Sequence, residues 1–287
     1  LLGNPYPSYL DWSLASAANP GVMSTIWYRT KTATAYTFDT YNAVGNMHTN
    51  NGLTTVSNLI PPMQAFWVRV NEGQPTSTVT FTNAMRSHAD VSGNKMKAPA
   101  LLQTAQQVLR LQVSNGINSD ETIVLFNSAA TNGIDNFDSP KMTNNNAAIP
   151  ELYTVAGNQQ LVINGLNSIT PNEEIPLGFT TGQSNVFTLK ATELSNFDSG
   201  MQILLKDNLL NSEQLLAVGT DYSFTSDITS NTSRFTLIFK SPSLTTALND
   251  VESLNEVFVN VDKDHRISIR YSGKAESTDC AEIYNSV

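Results

Sequence analysis

The chain has 287 residues and a formal net charge of −9, with 16 Lys and Arg against 25 Asp and Glu. That balance excludes a phosphate-backbone partner, which requires a basic stripe, and no run approaches the ~20 apolar residues of a membrane-spanning helix. Charged residues are only 14%, with Ser, Thr and Asn supplying the polarity expected of an extracellular β surface, and the single cysteine, Cys280, excludes an intrachain disulfide framework.

Asn4-Pro5 and Pro7-Ser8 open the chain as turn-forming pairs, and Tyr9, Leu10 and Trp12 behind them are large enough to anchor a core. A short helical turn fits after Asp11. The stretch "TIWYRTKTATAYTFDTY" (25–41) reads as two aromatic strands around Lys31-Thr32-Ala33. In "STVTFTN" (77–83), Val79 and Phe81 alternate with threonines as in a half-buried strand. A polar, small-residue stretch at 87–100 marks a boundary, with room for another helical turn at 101–107. In "VLRLQV" (108–113), Leu109, Leu111 and Val113 point one way while Arg110 and Gln112 point the other. Asn115-Gly116 supplies the turn of a hairpin over 109–126. "RFTLIFK" (234–240) repeats the alternation with Phe235, Leu237 and Phe239. Beyond a second boundary at 241–253, Val257, Val259 and Val261 alternate. Ile267, Ile269 and Tyr271 answer them across a turn at Asp262 to His265, and Ile283 lies in a further strand.

Helix-period spacing is weak throughout. The pattern predicts an all-β chain of tandem antiparallel β-sandwich domains, Ig-like or jelly-roll-like. Residues 1–93 form the first, without its N-terminal part, and residues 100–244 the second. Residues 251–287 begin a truncated C-terminal β domain.

Chemistry-bearing residues are sparse. His48, His88 and His265 lie far apart and lack metal-pair spacing. Cys280 has no basic neighbour to lower its pKa. "GQSNV" (182–186) departs from the nucleophile-elbow pattern at its last position. In "GIDNFDSPKM" (133–142), Asp135 and Asp138 could offer oxygens to calcium, but Lys141 could neutralise a carboxylate there instead, and this loop brace is the preferred reading. Glu173-Glu174, after Pro171-Asn172, reads as a solvated turn. Aromatics concentrate in the first 70 residues; most belong to a core, and Tyr6, Tyr9 and Trp12 are the candidates for an exposed ligand platform. No cofactor and no catalytic residue is expected.

Three stretches carry a resemblance: Gly3 through Ser8 with Asp11-Trp12, Ile60 through Val68, and Phe81 through Arg86. Together they are similar to the G-N-P-Y-P-S…D-W opening, I-P-P-x-Q-x-F-x-V strand and F-T-N-x-M-R ending of surface and secreted proteins of the Bacteroidota. Asp120-Glu121-Thr122, the Asp135…Asp138…Lys141 loop and "IPLGF" (175–179) resemble the segment that follows in such proteins. From about Val251 the chain resembles the start of a type IX secretion sorting domain, with Val257, Val259, Val261, Ile267, Ile269 and Ile283 as its strand residues. The resemblance implies a non-catalytic, stalk- or adhesin-like module displayed at the cell surface, part of a larger exported protein. Its implied partner is the type IX outer-membrane machinery, with a glycan or a cell-surface protein as possible ligand. The alternative it implies is a carbohydrate-binding accessory module of a secreted polysaccharide-degrading enzyme.

Overall fold

The computed structural model describes residues 1–88, 106–170 and 172–240, together with the backbone of Val257–Val261 and Ile267–Tyr271. The chain divides into two compact units, Leu1–Ser241 and Pro242–Val287. Its class is all-β, as the alternation predicts.

The N-terminal part of the first unit consists of short elements: β1 (Leu2–Gly3), β2 (Tyr9–Asp11), α1 (Trp12–Ala18), β3 (Thr25–Lys31), β4 (Tyr36–Asn42), β5 (Met47–His48), β6 (Leu59–Ile60), β7 (Ala65–Phe66) and β8 (Arg86–Ser87). They pair as β1–β7, β6–β2–β8 and β3–β4–β5. The helical turn after Asp11 forms because that carboxylate accepts a hydrogen bond from Ser13 N at 2.9 Å, an N-cap that satisfies one orphan donor. Trp12, the first helical residue, is driven inward against Phe66, ring centroids 5.6 Å apart. Leu10, Ile26 and Ile60 complete this core. Asn4 knits the opening turn: its Nδ2 donates to Ser8 O and Ile60 O at 2.8 and 2.9 Å, and its Oδ1 accepts from Tyr6 N.

The alternation at 77–83 does not become a strand. Asn19, buried at the end of α1, replaces the ladder: Oδ1 accepts from Thr80 N at 2.7 Å and Nδ2 donates to Thr80 O at 3.0 Å. Val79 and Phe81 still pack on the core, so the hydrophobic signal was right and only the pairing partner differs.

The rest of the unit is one sheet. Its strands are β9 (Gln107–Ser114), β10 (Ser119–Phe126), β11 (Ser139–Pro140), β12 (Glu151–Ala156), β13 (Gln159–Leu166), β14 (Glu173–Thr181), β15 (Asn185–Ser195), β16 (Gln202–Asp207), β17 (Ser212–Leu215), β18 (Asp221–Ser226) and β19 (Thr229–Lys240). The order is β17-β16-β19-β14-β12-β13-β10-β9-β15-β18, with β11 on β13. The two terminal strands, β17 and β18, follow each other in the chain, and Val218 between them bridges Ala191 on β15. The sheet therefore rolls nearly closed.

Leu109, Leu111 and Val113 point into the roll, where Phe179, Phe187, Phe224 and Phe235 pack edge to face at centroid distances from 5.0 Å. All neighbouring strands run antiparallel except β10 and β13, which are parallel. Ile123, Leu125, Val162 and Ile163 form a second cluster with Val108. Both faces of β10 are thus covered, which explains its nearly continuous burial. Glu173 and Glu174 are corrected from a turn to the first residues of β14, opposite Phe239 and Ile238.

In the second unit, β20 (Val257–Val261) and β21 (Ile267–Tyr271) pair antiparallel, as the two alternating runs led one to expect, with Val257↔Tyr271, Val259↔Ile269 and Val261↔Ile267 in register. Ile283, Cys280 and His265 lie outside the described residues, as do nearly all of the two boundary stretches and the 101–105 part of the second helical turn.

Candidate functional site

The polar side chains that the sequence scattered along the chain meet where the β3–β4 hairpin lies on the roll. Asp39, wholly buried on β4, accepts from Thr30 Oγ1 (2.6 Å), Thr49 Oγ1 (2.8 Å), Asn51 N (2.7 Å) and Gly52 N (2.9 Å). Four donors on one carboxylate fold the 49–52 loop back tightly. Gly52 is required there, because a Cβ would come within 2.6 Å of Thr30 Cβ.

That loop reaches the roll. Asn51 Nδ2 donates to Asp120 Oδ1 at 3.2 Å, and Asn50 N donates to Glu121 Oε2 at 3.0 Å. Asp120 is wholly buried, and its other oxygen takes the Lys141 ammonium and Leu152 N. Glu121 pairs with Arg110 at 2.9 Å; Arg110 also donates to Glu193 (3.1 Å) and to His48 O (2.7 Å). Lys141 therefore does brace a carboxylate, but the carboxylate is Asp120 on β10, not Asp135 or Asp138. Among the described residues Lys141 is the one cation paired with Asp120, and a buried charge without a partner is strongly disfavoured.

A second set of contacts fixes the 131–140 loop. Ser24 Oγ and Asn42 Nδ2 donate to Asn136 O at 2.7 and 3.0 Å, Thr25 Oγ1 meets Ser139 Oγ at 2.8 Å, and Trp27 Nε1 donates to Pro140 O at 3.0 Å. Inside the loop, Asp135 accepts from Thr131 N and Phe137 N, and Asp138 from Asp135 N (2.8 Å) and Gly165 N (2.9 Å). The two calcium candidates are thus amide acceptors that shape a turn. Among the described residues, no group of three or more His, Cys, Asp or Glu side chains converges as a metal site would need.

Burial governs the electrostatics of the joint. It pushes the Asp138 carboxyl up to about 6 and raises Glu121 and Glu151, in Glu121 against the pull of Arg110. Burial, with help from Arg110, lowers His48. A groove of ≈ 470 Å³ runs beside the joint between Arg69 and Gln159, where Gln159 Nε2 donates to Glu72 at 2.9 Å.

The proposed aromatic platform does not assemble. Trp12 is 0% exposed and its indole donates to Ser24 O at 2.8 Å, so neither ring face is available to a ligand. Tyr6 is half-buried beneath the Arg86 guanidinium at 5.5 Å, and Tyr9 is half-buried in β2. His88 is exposed, and Ser184 sits exposed on the β14–β15 turn.

Sequence reasoning missed Asp39, Asn51 and a second buried cluster, in which Asp207 accepts from Arg234 (2.8 Å) and Tyr222 (2.9 Å). Burial opposes the Asp207 charge, but bonds from Arg234, Leu210 and Tyr222 outweigh it and hold its pKa below the ordinary value. The available signal was a lone charge inside an alternating strand, as at Asp39 in "YTFDTYN" and Arg234 in "SRFTLIF".

No curated protein and no solved structure matches the chain. One family model does, over residues 1–239, nearly the whole of the unit Leu1–Ser241. That match spans well over half of the sequence, so the chain belongs to the family described as "Domain of unknown function (DUF8693)".

Proposed function

We propose that the DUF8693 unit is a non-catalytic, surface-displayed β module, stalk- or adhesin-like, of a larger exported protein, and that the segment from about Val251 begins a sorting domain for type IX secretion. The observation that carries the first half is the joint. Its buried carboxylates Asp39, Asp120, Glu121 and Asp138 all take hydrogen bonds from backbone amides, and three of them from side chains as well. These groups hold one part of the chain rigidly to another, the property a spacer or display scaffold needs. Supporting the second half, β20 and β21 form an antiparallel hairpin in which Val259 and Val261 lie opposite Ile269 and Ile267, four of the residues that carry the sorting-domain resemblance.

The experiment is a fusion of the natural protein from Val251 to its C-terminus behind a reporter, expressed in a type IX-competent cell. The reporter is expected at the cell surface. A reporter held in the periplasm overturns the export reading.

A further inference from the structure

One end of the roll carries two adjoining depressions, of ≈ 410 and ≈ 570 Å³, which share Ile228 and Thr229 on the β18–β19 turn. Each contains one buried charged side chain. In the larger it is Glu151, 6% exposed and held by Asn144 N; in the smaller it is Arg234, 3% exposed. Arg234 reaches its place through an irregularity in β19: residues 232–234 face the single residue Gly178 between the pairs Phe179↔Asn231 and Leu177↔Phe235. Such bulges re-aim side chains. The guanidinium lies against both the Phe224 and Phe235 rings, 5.1 and 5.2 Å from their centroids, and donates Nη2 to Asp207. Its Nε has no hydrogen-bond partner among the described residues.

Between these two charges the polar part of the lining is mostly uncharged hydroxyl and amide, with Thr180, Ser230 and Asn145 on one side and Thr225 and Asn231 on the other, interleaved with the apolar Ile149, Ala147 and Leu209. Ile228, 70% exposed, stands as an apolar ridge between the depressions.

We propose that this end of the roll binds a neutral oligosaccharide, with successive sugar units on either side of Ile228. The site is independent of the export reading. Hydroxyl groups both donate and accept, so they match a lining of Asn, Ser and Thr. The two charged side chains, Glu151 and Arg234, are buried and held by Asn144 N and Asp207, so they shape the walls without offering a charge that would select an ion. Asp227 at the rim and a net charge of −9 disfavour acidic glycans. Between β14 and β19 an added peptide strand finds no edge, because they are already paired with each other here, Thr180↔Ser230 and Thr181↔Thr229; the outer edge of β18 is where a peptide would have to pair, and extended peptides are therefore a separate arm of the test.

The test is an array of neutral and acidic oligosaccharides and extended peptides probed with the full chain, followed by calorimetric titration of whatever is retained. Neutral oligosaccharides are expected to be retained. Ile228→Asp and Asn145→Ala, both at exposed positions, are expected to weaken binding about tenfold while leaving the melting temperature unchanged. Leu53→Asp, on the N-terminal part, is expected to leave binding intact. The proposal is overturned if no neutral oligosaccharide is retained, if acidic glycans or peptides alone bind, or if both trough variants bind as the wild type does.

Discussion

Asp120 and Lys141 show what one residue pair contributes. Removing the cation alone strands a carboxylate that is 0% exposed. Lys141→Met is expected to destabilise the unit by about 3–5 kcal/mol in urea unfolding, and adding Asp120→Asn to recover part of that loss. An unchanged denaturation midpoint for Lys141→Met would show that the pair holds nothing together. Asp138 makes a pH-dependent contribution. Its folded pKa, about 6, lies above the ordinary 3.8, so the folded state takes up a proton between those values. Stability therefore falls as pH rises from 3.8 to 6, and the whole penalty, up to about 3 kcal/mol, is present above 6. Asp138→Asn removes that proton uptake. Its cost in melting temperature relative to wild type is accordingly larger at pH 5 than at pH 7, and equal costs at both would contradict the raised pKa. His48, lowered by burial, works in the opposite direction near pH 6.5 in both proteins and cancels in the comparison.

At the scale of elements, the unit depends on close approaches between segments distant in sequence. Gly165 on β13 has no room for a side chain: a Cβ would lie 2.4 Å from Phe137 Cβ and 3.2 Å from its backbone carbonyl. Gly165→Ala must push the 131–140 loop off β13, weakening its contacts with Ser24, Thr25 and Trp27, at an expected cost of about 1–3 kcal/mol. Faster amide exchange across that loop is the companion observation. Asn19 acts as a one-residue strand for the 77–83 segment, so Asn19→Ala is expected to cost about 1 kcal/mol or more and to deprotect Thr80 N. Retained Thr80 protection would mean that packing of Val79 and Phe81 suffices. The alternation in 77–83 was legible; its partner was not, because a side-chain amide leaves no periodic signature.

At the scale of the molecule, residues 1–88 and 106–240 carry separate hydrophobic clusters yet belong to one compact unit. The polar joint between them is extensive, so a single calorimetric unfolding transition is expected for Leu1–Ser241. Two resolved transitions would show that the joint does not couple the clusters.

Local features were decided by the sequence alone. Alternation placed β9, β19 and the β20–β21 pair, Asn115-Gly116 placed a hairpin turn at which Gly116 adopts a φ of 84°, and Asp11 capped α1. Each depends only on neighbours within a few residues. The tertiary structure decided the parallel β10–β13 pair, the closing of the roll through Val218, the burial of Trp12, and the meeting of Asp39, Asn51, Asp120 and Lys141. Those contacts join positions tens of residues apart, and a side chain's local sequence sets its periodicity but not which distant charge will need it.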